Sequence, residues 1–536
     1  MQEEKMDRKS YVALRVFGLA VLLGIAGNLL LRVEPWGLNA FLAALAFTLG
    51  FTVLVRRLEL PLGGAATWLG ATVPVLAAVL MWRASEPLTG LAVLGVLLAL
   101  AGAALAAHGR GLQRAGVWEL VTEGVAMVLH AMFGAVRLAL ETGPGVVRWA
   151  PWNTRAGAVV RGILLALPPL VVFGALFVSA DAAFARLLSD LVDIDVELVA
   201  SHVLLTGVFA WLGAGWLYWV MVNDGSRVPP SSALGVRAGM VEVGVALGMV
   251  SALFVAFIAV QSTYLFGGEA LVQGTTGLTY AEYARSGFFE MVTAAFLVLP
   301  MLLVGLWLVR DEPEARQRLV RLMAAGLEVL VFVLIASALY RMRLYQEAYG
   351  LTHLRFLTTA FIIWLAVIFV LFSVTVLRGA PRGFIGGAVT SALAAVVLLA
   401  AVNPDARIVE ANVERARAGA EFDAAYLREL SADAVPAIVA ALPTLPEASR
   451  CATAHWLVTR WGAGSRAADR PGDWRSWNHA RSNALRLVGE REAALRAQAC
   501  PPEPAARPPA EGGVGVDPPL PPVGGRPAGA PPTSGG

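Results

Sequence analysis

The sequence predicts an all-α fold: a polytopic membrane bundle of about eleven transmembrane helices, then a small extracytoplasmic helical domain and a disordered Pro/Gly-rich tail. Two observations carry this. Of 536 residues, 57% are hydrophobic and only 15% charged, and the mean hydropathy is +0.66, a balance too apolar for a soluble protein of this size. The apolar residues also recur in runs of about 20, the length a helix needs to cover the hydrocarbon core of a bilayer.

Those runs are residues 12–31, 38–55, 65–81, 88–107, 159–178, 199–222, 240–265, 288–309, 320–339, 357–377 and 384–402. The run at 65–81 is short and contains Pro74, whereas that at 384–402 holds no charge at all. Residues 12–31 follow Lys5, Arg8 and Lys9, but the run outlasts a signal-peptide core and reads as an uncleaved anchor. The chain then divides into four helices (1–107), a cytoplasmic amphipathic segment (108–158), a core of seven helices (159–402), an extracytoplasmic helical domain (403–499) and the tail (500–536).

Cytoplasmic loops are enriched in Lys and Arg. An amino terminus in the cytoplasm leaves only Arg32, Arg83, Arg186, Arg285, Arg341, Arg343 and Arg355 outside before residue 403. An odd number of crossings then puts the region after Val402 outside, where Cys451 and Cys500 could be oxidised. Whether they pair stays open at the level of sequence. In 118–142, Val121, Val125, Val128, Met132, Val136 and Leu140 recur every three or four residues, which predicts a surface helix on the cytoplasmic side.

Pro404 after Asn403 predicts a helix start. Beyond it, Phe422, Tyr426, Leu427 and Leu430, and then Val435, Ile438, Val439 and Leu442, supply two apolar faces. From residue 501 proline and glycine dominate with almost no large apolar side chain, so no core offsets the entropy of ordering.

The sequence has no HExxH, GxSxG, EF-hand loop or phosphate-binding glycine loop. The two cysteines and six histidines are too dispersed for a metal site, so neither a cofactor nor a metal is expected. The net charge of +3 is scattered among apolar runs, which argues against nucleic acid as a partner. Candidate residues are therefore polar groups at membrane depth, which are costly there. Glu328 is the sharpest, lying about 12 Å into its run at 1.5 Å per residue, where a carboxylate is either protonated or paired. Glu242 and Glu290 lie near run ends and can reach the interface. Pro168, Pro169 and Pro300 lie within runs, where they either break a helix at a transport site or simply kink it. The external segment after residue 178 is acidic (Asp181, Asp190, Asp193, Asp195, Glu197), while 340–356 carries Arg341, Arg343 and Arg355 against the charge rule. Those arginines suit an acidic loop, or a ligand carboxylate or phosphate.

SADAAF at 179–184, QSTYLFGG at 261–268, TYAEYARSGFFE at 279–290, YRMRLYQEAYGLTHLRF at 340–356 and FDAAYLRELSADAVPAI at 422–438 resemble the bacterial membrane family called domain of unknown function 4173, with its relative 4153. The resemblance spans 159–442 and leaves the first four helices and the tail outside. One motif departs from the family pattern, with alanine where a Pro or Val follows the aspartate. The resemblance implies a bacterial cytoplasmic membrane and no particular activity. It directs attention to Asp181, Tyr264, Tyr280, Glu282, Tyr283, Arg285, Glu290, Arg341, Tyr345, Tyr349 and Arg355 at the outer surface.

Three functions fit these features. The first is transport or permeation of a small solute, with an outer vestibule of tyrosines, arginines and acids and Glu328 as coupling site. The second is a cell-envelope sensor or scaffold that binds a partner protein through its external motifs. The third is a membrane-embedded enzyme on a lipid or envelope precursor, using Asp181, Glu282 or Glu290 as acid or base. All three take the lipid bilayer as partner.

Overall fold

The structure, a computed structural model, describes residues 2–59, 63–107, 196–221, 239–266, 288–420, 423–463 and 473–500, with Gly124, Gly134 and Leu138. Among these residues 10 helices are long and apolar enough to cross a membrane. They are α1 (Gln2–Leu31), α2 (Leu38–Arg57), α3 (Gly64–Trp82), α4 (Glu86–Ala106) and α5 (Val196–Met221). The others are α6 (Met240–Phe266), α7 (Phe288–Leu308), α8 (Glu314–Tyr349), α9 (His353–Phe372) and α10 (Phe384–Val402). Each coincides with an expected run. The run at 159–178 lies outside the described residues, as do the tail from 501 and all but three single residues of the amphipathic segment.

Helical periodicity separates a packed face from a lipid face. On α1, Ala13, Val16 and Ala20 are at most 1% exposed, while Leu22, Ile25 and Leu29 are 65%, 44% and 51% exposed. Small residues on the packed side let helix backbones approach closely. α1 lies antiparallel to α5, where Asn28 Nδ2 donates to His202 Nδ1 at 2.8 Å. Helices α1–α5 share one core, including Leu69, Leu76 and Leu217, and α6–α9 share another around Leu327, Phe369 and Phe372. α10 joins the two, placing Leu393, Val396 and Ala400 in the first and Phe384 in the second.

The segment 340–356, expected as an external loop, is largely helix. α8 runs for 36 residues, about 54 Å at 1.5 Å per residue, which exceeds the roughly 30 Å apolar core of a bilayer. It therefore continues past its apolar run until Gly350, at φ +78°, ends it. Thr352 caps the start of α9 by accepting from Arg355 N, and α9 ends in a π turn over Ser373–Leu377.

α11 (Pro404–Arg417) starts at Pro404 as expected, because Asn403 at φ 56° turns the chain and its side chain accepts from Ala406 N. α12 (Val435–Ala441), α13 (Glu447–Trp461), α14 (His479–Glu490) and α15 (Glu492–Gln498) complete the domain. Its core includes Leu427, Leu430, Val435, Ile438 and Val439 from the two expected faces; Phe422 lies outside the described residues. Cys451 and Cys500 form a disulfide with Cα atoms 4.9 Å apart. Cross-linking across 49 residues removes unfolded-chain entropy worth about 4 kcal/mol in the loop-closure account.

Candidate functional site at the domain junction

The described polar groups with the densest bonding lie where the carboxyl-terminal domain meets the membrane bundle. There the domain grips three inter-helix turns, each through backbone carbonyls and amides that the turns leave unpaired at helix ends.

The α1–α2 turn is held by residues 475–481. Leu38 N donates to Trp477 O at 2.8 Å, Arg475 donates to Leu29 O and Arg481 to Trp36 O at 3.3 Å. The approach is so close that a Cβ on Gly37 would stand 2.3 Å from Trp477 O.

The α3–α4 turn is held by Asp433 and Asn478. Asp433 accepts from Ala84 N at 2.6 Å, Ser85 N at 3.1 Å and Arg83 Nη1 at 3.1 Å. Arg83 Nε donates to Ala400 O at 2.7 Å, so one guanidinium links α10 to the domain. Asn478 Nδ2 donates to Leu80 O and Arg83 O at 2.8 and 2.7 Å. Burial pushes the Asp433 carboxyl above the ordinary carboxylate range, against the opposing pull of the Ala84 amide and Arg83.

The α8–α9 turn is held by α11 and the turn that follows it. Asn412 satisfies both backbone groups of Leu351, accepting from its N at 2.7 Å and donating to its O at 2.8 Å. Arg415 donates to Glu347 O and Ala348 O, and His353 N donates to the Tyr426 hydroxyl at 2.8 Å. Fully buried Asp405 accepts from His353 Nε2 at 2.9 Å and Ser431 N at 3.1 Å. Burial alone would raise the Asp405 carboxyl, but His353, Ser431 and Ser85 outweigh it and hold the group below the ordinary range. Burial pushes the Tyr426 hydroxyl up.

Both oxygens of Asp433 and Oδ1 of Asp405 are held by the protein's own donors, while Asp405 Oδ2 has no hydrogen-bond partner among the described residues; a catalytic acid or base must also reach a substrate. No group of three or more His, Cys, Asp or Glu converges as a metal site among the described residues.

The residues expected from sequence are dispersed around this joint. Asp181, Tyr280, Glu282, Tyr283 and Arg285 lie outside the described residues, and so does the side chain of Tyr264, which is in the last turn of α6. Glu290 is exposed in the first turn of α7. Glu328 is 3% exposed within the α6–α9 core, beside the Ser373 side chain at the π turn, and its Oε1 has no hydrogen-bond partner among the described residues. Arg341 is 6% exposed. Arg343 is exposed and pairs with Glu347 one turn along α8 at 2.9 Å. Arg355 stacks over Tyr345 at 4.1 Å and Tyr349 at 5.8 Å, and donates to Tyr349 O and Gly350 O. Arg343 and Arg355 thus have partners inside the α8–α9 hairpin, because the continuing helix puts Glu347 one turn from Arg343 and carries Tyr345 and Tyr349 up to the start of α9, where Arg355 lies.

Arg83, His353, Asp405, Asn412, Asp433 and Asn478 were not singled out from sequence. The available signals were Arg83 on the arginine-poor face and the family-resembling motifs at 340–356 and 422–438, which contain His353 and Asp433; all are single polar residues whose partners lie tens to hundreds of residues away.

The model of the family described as domain of unknown function (DUF4153) matches residues 70–441. The match is to the relative 4153, not to 4173. It starts inside α3 and so takes in more of the first four helices than the resembling motifs do. Its limits contain the grips on the α3–α4 and α8–α9 turns, apart from Asn478, and exclude the α1–α2 grip. No curated protein and no solved structure matches the chain.

Proposed function

We propose, from the premise that the chain belongs to the DUF4153 family of unknown function, that it is a membrane sensor or scaffold whose carboxyl-terminal domain binds a cell-envelope partner protein. The domain's state passes to the opposite membrane face through α8. The observation that carries this reading is the hold on the α8–α9 turn: Asn412 takes both backbone groups of Leu351, and Asp405 and Tyr426 take His353. A displacement of the domain therefore pulls directly on the end of a helix of 36 residues. The charge asymmetry of the loops supports a domain outside the cytoplasm, and the Cys451–Cys500 disulfide accords with an oxidising compartment.

The relay is tested by amide hydrogen exchange on the full-length protein in membranes, comparing wild type with Asn412→Ala. Faster exchange is expected both at 347–353 and in the first turns of α8, residues 314–321. A change confined to 347–353 would reject transmission along α8.

Transport is the second reading, and the buried carboxylate of Glu328 favours it. It ranks second because the inward face of α8 between Glu328 and Arg341 carries Val331, Leu334, Ile335 and Ala338, each at most 4% exposed. Ser337, 9% exposed, is the polar exception. A coupling carboxylate needs a wetted route, and this face offers packed hydrocarbon. Proton flux into liposomes should be equal for wild type and Glu328→Gln; a flux abolished in the variant would restore transport to first place.

A further inference from the structure

Trp474 is the large apolar side chain most at odds with its setting in the carboxyl-terminal domain. It sits in a 3₁₀ turn over Trp474–Ser476 and is 65% exposed, although the domain core is well filled by 21 buried residues. Its position relative to the bundle gives it a purpose. The adjacent Arg475 reaches Leu29 O, in the last turn of α1. Leu29 belongs with Leu22 and Ile25 to the exposed stripe of that helix, the stripe that meets lipid. Trp477 O receives Leu38 N, the first residue of α2. The turn is therefore fixed at the depth where the apolar runs of α1 and α2 end, on the lipid side of α1. Two further tryptophans mark the same level: Trp36, 39% exposed, whose indole donates to Leu31 O, and Trp82, 39% exposed, with Arg83 4.3 Å from its ring centroid.

We infer that Trp474 inserts into the headgroup–acyl boundary of the bilayer, so that the carboxyl-terminal domain rests on lipid as well as on the three turns. An indole combines an apolar body with one N–H donor, which suits that boundary. The charge beside it points to a neutral or zwitterionic surface, because Arg475 is paired with Asp473 and engaged at Leu29 O. Lipid continues the α1 stripe without a break, whereas a protein partner would have to displace lipid from Leu29 to reach the same ring. Trp474 lies beyond the family match, as the α1–α2 grip does, and its insertion does not depend on the sensor reading.

The test uses full-length Trp474→Cys, in which the disulfide between Cys451 and Cys500 leaves the introduced thiol as the labelling site. An environment-sensitive fluorophore is attached and the protein reconstituted into phosphatidylcholine vesicles. The emission should shift to the blue relative to detergent-free buffer standards, and nitroxides near the headgroup end of the acyl chain should quench it more than aqueous iodide does. Quenching by iodide in excess of lipid nitroxide would overturn the proposal and leave the ring to a protein partner or a second copy. Should the label perturb the turn, the emission lost in Trp474→Phe reports the same residue, and that component must be the one that lipid nitroxides quench.

Discussion

Replacing Asp433 with alanine is expected to weaken attachment of the carboxyl-terminal domain by about 3–5 kcal/mol, the usual result of removing one member of a buried ion pair. The loss is large because three donors of the α3–α4 turn depend on one carboxylate. Arg83 Nη1, Ala84 N and Ser85 N all point at Asp433, whose side chain is 1% exposed, and the Arg83 side chain is itself only 12% exposed. Alanine leaves Arg83 Nη1 and two amides without their acceptor where water has little access, with only Nε still bonded, to Ala400 O. The measurement is the rate of limited proteolysis within residues 403–500 in reconstituted protein, with melting temperature as the second readout. Adding Arg83→Met to Asp433→Ala should recover part of the loss, since an unpaired buried cation costs more than an apolar side chain in its place. A double variant as labile as the sum of its singles would show that the pair is not coupled.

Substituting alanine for Gly350 should break the hold on the α8–α9 turn. Gly350 adopts φ 78° and ψ 179°, a region open essentially to glycine, where a side chain costs about 1–3 kcal/mol. A Cβ there would also lie 2.6 Å from Asn412 Oδ1 and 3.3 Å from Arg415 Nε, the residues that grip the turn. Gly419 supplies the comparison, with φ +92° and nothing within 4 Å of its notional Cβ. Both variants bear backbone strain, but only Gly350→Ala should expose the amides of 350–353 to fast exchange. Equal exchange at those amides in the two variants would mean that Asn412 accommodates the methyl group without releasing Leu351.

Sequence was a sufficient guide wherever the deciding interaction is between a segment and its solvent. A run of about 20 apolar residues has one stable state in a bilayer, because helix formation satisfies its backbone within the segment itself. Hence 10 spans fall on expected runs, and Pro404 and the faces around Leu427 and Val435 behave as local rules require. The end of α8 was misjudged because hydropathy reports where lipid stops, while Gly350 decides where the helix stops.

The junction was beyond reach of local rules for a physical reason. A buried carboxylate is tolerable only when its donors converge on it, and convergence is a property of tertiary structure. Asp433 and Arg83 are 350 residues apart, Asn478 and Leu80 398, and His353 and Asp405 52; the family-resembling motifs contain His353 and Asp433, but nothing local shows which groups they meet. The reverse holds for Arg343 and Arg355, conspicuous in sequence for breaking the charge rule yet engaged by Glu347, Tyr345 and the carbonyls of their own hairpin. The sequence by itself determined that the chain is a helical membrane protein and where its spans lie, because burial in lipid acts on each segment separately. Only the tertiary structure decided which polar residues meet at the domain junction, because their free energy depends on partners that folding alone brings together.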